Sequence, residues 1–420
     1  MADPADLTAT AAARAIEAGT LRPAGLLEAC LARVAAREPV VRAMAFLDPA
    51  QAHAAVPRPG PLHGLPIGVK DVIDTADMPS QYNSSIWRGH RPRADAACVA
   101  WARAAGAVVL GKTVTTEFAT RHPGPTTNPH DPARTPGGSS SGSAAGVAAG
   151  FFPLAYGTQT AGSVIRPASY CGIVGFKPSF GTVNRFGMKL MSDSLDTIGV
   201  MARSLADCAL FVGAVSGLDL GDPDRKMDRA PRIGVCRSPV WERARAETVS
   251  LFEQVPAALA SAGAIVTEFA LPPGYDALEA AHSVVMNAES ARALGWELHN
   301  ARDQLSPVLR ERMEWGLAQP ASLLVEAQAL FRQLQMGFGA TLGDLDILLT
   351  PAAPGEAPVG LEWTGDAAFN FIWTSLHAPC VSVPAGTGPE GMPLGVQIVG
   401  RRGQDRQTLA WAAWVAAALG

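Results

Sequence analysis

The chain has 420 residues, 48% hydrophobic and 17% charged, which is enough apolar material for a large core. A formal net charge of −4, with no block of Lys and Arg, gives no footprint for nucleic acid and favours small-molecule chemistry. Six cysteines (Cys30, Cys98, Cys171, Cys208, Cys236 and Cys380) lack C-x-x-C spacing, which argues against a zinc site or a disulfide framework and predicts reduced core thiols.

Met1 to Asp6 carries early acids and no basic-then-apolar signal, and no apolar run reaches the ~18 residues of a membrane span. A soluble, cytoplasmic protein with no membrane partner is expected. Residues 7–19 and 23–38 repeat Ala, Leu and Ile every three or four positions, with Gly19 and Pro23 between them, and predict two amphipathic helices. Val40 to Leu47 reads as a strand. Pro57 to Pro66 is turn-rich and opens into Ile67 to Asp74, a short buried strand holding Lys70. A lysine there is unusual because desolvating an ammonium is costly. It is either paired with Asp71 or Asp74, or catalytic.

Asp95 to Ala105 predicts a helix and Ala107 to Leu110 a buried strand. Gly106 to Thr113 fits the phosphate-binding pattern G-x-x-x-x-G-K-[ST]. That pattern needs its four middle residues as a loop, whereas Ala107, Val108, Val109 and Leu110 favour strand. A nucleotide site is rejected on that ground.

Gly137 to Thr182 is the organising stretch. Gly137-Gly138-Ser139-Ser140-Ser141-Gly142-Ser143 and Gly157-Thr158-Gln159-Thr160-Ala161-Gly162-Ser163 are small-residue loops separated by apolar blocks. A flexible linker would not alternate in this way. Small residues let backbone N–H groups approach a reacting carbonyl, so a buried serine site is predicted. Gly138 to Gly142 also fits G-x-S-x-G, the elbow of α/β-hydrolases, with Ser140 as nucleophile and Asp346 and His377 as available partners. Pro129, Pro132 and Pro136 stand where a strand should lead in, which leaves that reading as the alternative.

Ser204 to Gly217 predicts a helix and Ile233 to Cys236 a strand. Residues 241–345 are helix-patterned, broken by a strand and turn at Gly263 to Pro273. Their aromatics, Trp296, Trp315 and Phe331, either cover the mouth of the site or pack an ordinary core. Asp346 to Pro351 predicts a strand, Cys380 to Gly386 and Gly395 to Gly400 late strands near a sheet edge, and Asp405 to Leu419 a closing helix.

Gly137 to Gly142, Gly157 to Ser163, Arg166-Pro167-Ala168 and Gly175-Phe176-Lys177-Pro178 resemble the signature of the amidase signature hydrolases. The similarity extends to Gly64 to Asp71, Gly111-Lys112-Thr113, Ser194 to Gly199, Thr350-Pro351 and Val383 to Gly386, nearly the whole chain. The wording around Asp71 to Thr75 and Ser163 to Pro167 is most similar to the bacterial malonamidase type. The resemblance implies one α/β domain over 1–420, a large mixed β-sheet covered by helices on both faces. Its signature core would span about 60–215, a helix-rich region about 241–345, and 346–420 would complete the core.

The resemblance further implies Ser163 as nucleophile, Ser139 as its partner with a cis peptide bond, and Lys70 as base. The N–H groups of Thr160, Ala161, Gly162 and Ser163 would form the oxyanion hole. The physics agrees independently: Ser163 needs a proton acceptor, no histidine lies near in sequence, and lysine serves only when burial lowers its pKa from about 10.4. Arg166 and Gln159 are the expected substrate-binding residues. Gln159 stands where many members have Asp, Ala161 where many have Gly, and Arg166 follows the nucleophile by three positions rather than two. Arg166 would hold a substrate carboxylate, or be tied to an internal acid or carbonyls. The implied function is hydrolysis of small-molecule amides through an acyl-enzyme, without cofactor or metal, with malonamate-like or other carboxylate-bearing amides as candidates. Anilides, carbamates and esters remain alternatives, as does a noncatalytic or amidotransferase component. The family's common habit is a homodimer.

Overall fold

The computed structural model describes residues 3–420. One mixed sheet of eleven strands runs through it. The strands are β1 (Met44–Leu47), β2 (Pro66–Lys70), β3 (Val108–Thr113), β4 (Leu154–Gln159), β5 (Val174–Lys177), β6 (Thr197–Ala202), β7 (Arg232–Val235), β8 (Ile265–Glu268), β9 (Ile347–Pro351), β10 (Cys380–Thr387) and β11 (Pro393–Val399). Their order is β1-β3-β2-β4-β6-β5-β10-β11-β9-β7-β8. Pairing is parallel for β3-β2-β4 and β9-β7-β8 and antiparallel between the other neighbours. β10 and β11 therefore lie inside the sheet, and the edges are β1 and β8; the expectation of late edge strands is corrected. β10 pairs with β5 and β11, and β11 with β10 and β9, so each is hydrogen-bonded on both sides.

Helices cover both faces, because successive residues of a strand point to opposite sides. In β4, Leu154 and Tyr156 join the core packed by helix Leu205–Ser216, while Ala155 packs with Ala144, Ala145 and Val147 of helix Ser141–Ala148. In β9, Ile347 and Leu349 face the first of these cores, and Leu348 faces a third containing Leu278, Val285 and Phe331. That third core carries helices Leu278–Ala293 and Ala321–Thr341.

Local chemistry sets the helix limits. The Thr8 side chain caps Ala9–Glu17 by accepting from Ala11 N–H, and Pro23 opens Pro23–Val41. Ser204 caps Leu205–Ser216 through Asp207 N–H, and Gly217, at φ +75°, ends it in the left-handed region. Val108 to Thr113 is one buried strand, as rejection of the phosphate loop requires.

Candidate active site

Three lysines, Lys70, Lys112 and Lys177, are fully buried, and their partners separate them. Lys112, on β3, donates to Ile73 O (2.8 Å) and Ser80 Oγ (2.5 Å) and lies 3.3 Å from an Asp71 carboxylate oxygen. Its ammonium is thus solvated by the protein. Lys177 donates to the carbonyls of Pro178 and Ala378. Among the described residues, Lys70, the last residue of β2, meets only two hydroxyls, Ser139 Oγ at 2.7 Å and Thr158 Oγ1 at 2.7 Å. An ammonium has three protons to place, and two acceptors leave one unplaced, which suits a neutral amine. Burial pulls the Lys70 pKa down to about 7, against a smaller opposing pull from Asp196. The Asp71 carboxylate expected as a partner for Lys70 lies beside Lys112 instead.

Each serine of the 139–143 loop has its own anchor. Ser139 meets Lys70, and the Gly138–Ser139 peptide is cis. Ser141 Oγ donates to Gly137 O (2.8 Å) and Ser143 Oγ to Tyr156 O (2.7 Å). Ser140 is fully buried, its hydroxyl spent on the Thr158 backbone at 3.2 Å in both directions. Asp346 is paired with Arg229 at the surface, and His377 binds Ser194 O while stacking on Phe180. No Ser140–His377–Asp346 array exists, so the hydrolase-elbow alternative is overturned. Three serines in a row cannot be ranked from sequence; the backbone path decides.

Beyond β4 the chain turns through residues 160–164 into helix Ile165–Tyr170. Gln159 closes this loop from beneath. Its Oε1 accepts from Val164 N–H (2.9 Å) and Ile165 N–H (3.1 Å), and its Nε2 donates to Thr374 Oγ1 (3.0 Å). Gln159 is fully buried and is not among the cavity's lining residues, so the structure places it under the loop rather than against substrate. The Thr160 hydroxyl donates to Asp196, which also accepts from Met191 and Ser192 N–H. Among the described residues, the N–H groups of Ala161, Gly162 and Ser163 have no protein acceptor. Ser163 is half-buried and its hydroxyl likewise has no partner among them.

Thr160, Ala161, Gly162, Ser163 and Arg166 line a cavity of about 370 Å³. Its far wall is the segment 278–312, with His282, Ser283, Asn287 and Arg312, and its rim includes Thr120, Arg121, Arg243 and Trp363. Trp296 and Trp315 are exposed elsewhere, and Phe331 is buried in core. Four arginines face two carboxylates here, Glu279 and Asp366, and Arg243 takes both, at 2.5 and 3.7 Å. Arg166 is buried and, among the described residues, unpaired with any acid. It donates to Gly138 O (2.5 Å), its Nε has no partner, and burial lowers its pKa. Arg312 is held by Asn287 Oδ1 (3.0 and 2.9 Å); burial and the neighbouring Arg121 bring its pKa down to about 10. Of the two readings of Arg166, the carbonyl tie is present, and the residue also lines the cavity.

Sequence reasoning missed Thr158, His282, Arg312 and Thr374. Thr158 lay within the small-residue motif. His282 and Arg312 had no signal, since Arg310-Glu311-Arg312 reads as a solvated helix face.

The pattern of the family described as Amidase matches residues 25–409. The chain belongs to the amidase family. One of the glutamyl-tRNA(Gln) amidotransferase subunits of Chloroflexus aurantiacus is 35% identical over 94% of this chain and 93% of its own length. A putative amidase, AmiD, of Mycobacterium tuberculosis is 33% identical over 94% and 90%. Among solved structures, an amidase crystal structure superposes with a TM-score of 0.90 at 31% identity, covering 99% of this chain and all of that one. This amidase is accordingly a hydrolase of amide C–N bonds with an amidase signature fold. No helix of the described residues is long and apolar enough to cross a membrane.

Proposed function

We propose that this amidase cleaves small-molecule amides through an acyl-enzyme on Ser163, with Lys70 as base and Ser139 as proton relay. The observation that carries this reading is the buried, acid-free Lys70 joined to Ser139 at 2.7 Å beside a loop of unpaired N–H groups. When Lys70 is neutral, the same contact runs the other way and the Ser139 hydroxyl donates to its lone pair. Ser163 then loses its proton to Ser139 as its Oγ attacks the amide carbon. The carbonyl oxygen gathers charge toward the N–H groups of the loop Thr160, Ala161, Gly162 and Ser163. Collapse expels the amine, which receives the proton returned through Ser139. Water, deprotonated by the same route, releases the acid and restores Ser163.

The arginines of the cavity favour amides that carry a carboxylate, malonamate among them, because Arg166, Arg121 and Arg312 have no acid of their own. The same acyl-enzyme route serves anilides, carbamates and esters bearing that charge. A role as one component of an amidotransferase, as in the Chloroflexus relative, predicts dependence on partner chains.

The test is labelling with a small fluorophosphonate followed by peptide mapping, on wild type and Lys70→Ala. Label on Ser163 that is lost in the variant is expected. Label on another serine, or undiminished label in the variant, refutes the assignment.

A further inference from the structure

Two side chains outside the signature core grip consecutive carbonyls of the 160–163 loop. His282, on helix Leu278–Ala293, lies with Nε2 2.9 Å from Thr160 O. A carbonyl only accepts, so Nε2 carries the proton and the ring is the Nε2–H tautomer. Burial holds the His282 pKa down at about 4, so the imidazole is neutral at ordinary pH. Thr374, on helix Phe371–Ser375, donates its hydroxyl to Ala161 O at 2.7 Å and accepts from Gln159 Nε2.

These contacts fix more than the carbonyls. Both peptides concerned are trans, and in a trans peptide the C=O and the following N–H point in opposite directions. Turning Thr160 O toward His282 aims the Ala161 N–H away from it, and turning Ala161 O toward Thr374 does the same for the Gly162 N–H. Among the described residues, neither of these two N–H groups has a protein acceptor.

We infer that His282 and Thr374 are positioning residues that aim the Ala161 and Gly162 N–H groups at the developing oxyanion. This rests on the acyl-enzyme reading above and adds to it the groups that pre-set the hole. Without either, a peptide is free to rotate and turn a carbonyl toward the site, which would repel the charge the N–H stabilises. The effect belongs to the transition state, because a ground-state carbonyl draws less on those donors.

Inactivation by a small fluorophosphonate tests this without a known substrate. The Ser163 Oγ–P bond forms, the P–F bond breaks, fluoride leaves, and the serine proton passes through Ser139 to the Lys70 amine. The phosphoryl oxygen gains charge as a carbonyl oxygen would, so kinact reads the hole and KI reads binding. His282→Leu and Thr374→Val are each expected to lower kinact roughly 10- to 100-fold, less than the ~10²–10³ of losing a donor outright, with KI within about twofold. His282→Gln, whose amide N–H reaches a similar point, and Thr374→Ser are expected to recover to within about threefold. Wild-type kinact in both Leu and Val variants would overturn the inference, as would equal losses in the Gln and Ser variants, which mark a packing role. The Thr374 pair decides if His282→Leu does not fold. Wild-type label mapped to a serine other than Ser163 overturns the acyl-enzyme reading itself, and is recognised before any variant is compared.

Discussion

At the scale of single residues, the distinguishing feature is that one buried lysine has hydroxyl partners while another has a carboxylate. Lys70 and Lys112 are equally inaccessible, yet only Lys112 is offset by an acid, Asp71. A base must be neutral to act, and the Lys70 pKa is near 7, so kcat/KM on an acidic amide is expected to rise with pH along a limb centred near 7. A flat profile from pH 6 to 8 would count against Lys70. Stability carries the same signature. The folded pKa lies below the unfolded value of about 10.4, so between about 7 and 10.4 the unfolded chain binds the proton that the native state gives up. Native stability therefore rises with pH across that window. Relative to Lys70→Met, wild type is expected to gain about 2 kcal/mol between pH 7 and 9 in urea unfolding, and parallel curves would refute the shift.

At the scale of elements, the 160–164 loop is tied beneath by Gln159, at its start by Asp196, and across by His282 and Thr374. Gly162 is where this leaves no space, for an added Cβ would lie 2.2 Å from Asn370 Oδ1. Gly162→Ala is expected to push the loop off its ties and lower kcat roughly 10²–10³-fold, with a smaller change in KM. An unchanged kcat would mean that Asn370 yields and the loop is less constrained than its hydrogen bonds suggest. The loop was legible in the chain because close backbone approach demands small residues, and Gly157 to Ser163 supplies them. Its ties were not: Gln159 reads equally as a substrate contact, and a buried amide and a substrate-facing one are the same residue type. The Ser139–Ser140–Ser141 run shows the same limit, since four side chains of one chemistry, with Ser143, take four directions according to backbone path alone.

At the scale of the whole molecule, the cavity lies between two parts of the chain. Arg166 comes from the signature core, next to Gly138, and Arg312 from the helical segment across the cavity. The two are expected to fail differently. Arg312→Gln should lower kcat/KM for malonamate roughly 10- to 100-fold while sparing a neutral amide such as propionamide, the size expected for hydrogen bonds to a charged group. Arg166→Gln should lower both, because its guanidinium also holds the Gly138 carbonyl beside Ser139. Equal activity of Arg312→Gln on both amides would remove the case for acidic substrates.

The chain by itself determined the run of helices and strands, the small-residue loops and the lysine-bearing strand, because hydrophobic period, backbone freedom and desolvation cost are properties of short stretches, whereas the α/β class with a mixed sheet was legible only through the family resemblance. Tertiary structure alone decided that Lys70 rather than Lys112 stands without an acid, that β10 and β11 lie mid-sheet, and that His282, Arg312 and Thr374 reach the site. Those outcomes depend on which distant side chains share a few ångströms of low-dielectric space, and pairing of that kind leaves no periodicity along the chain.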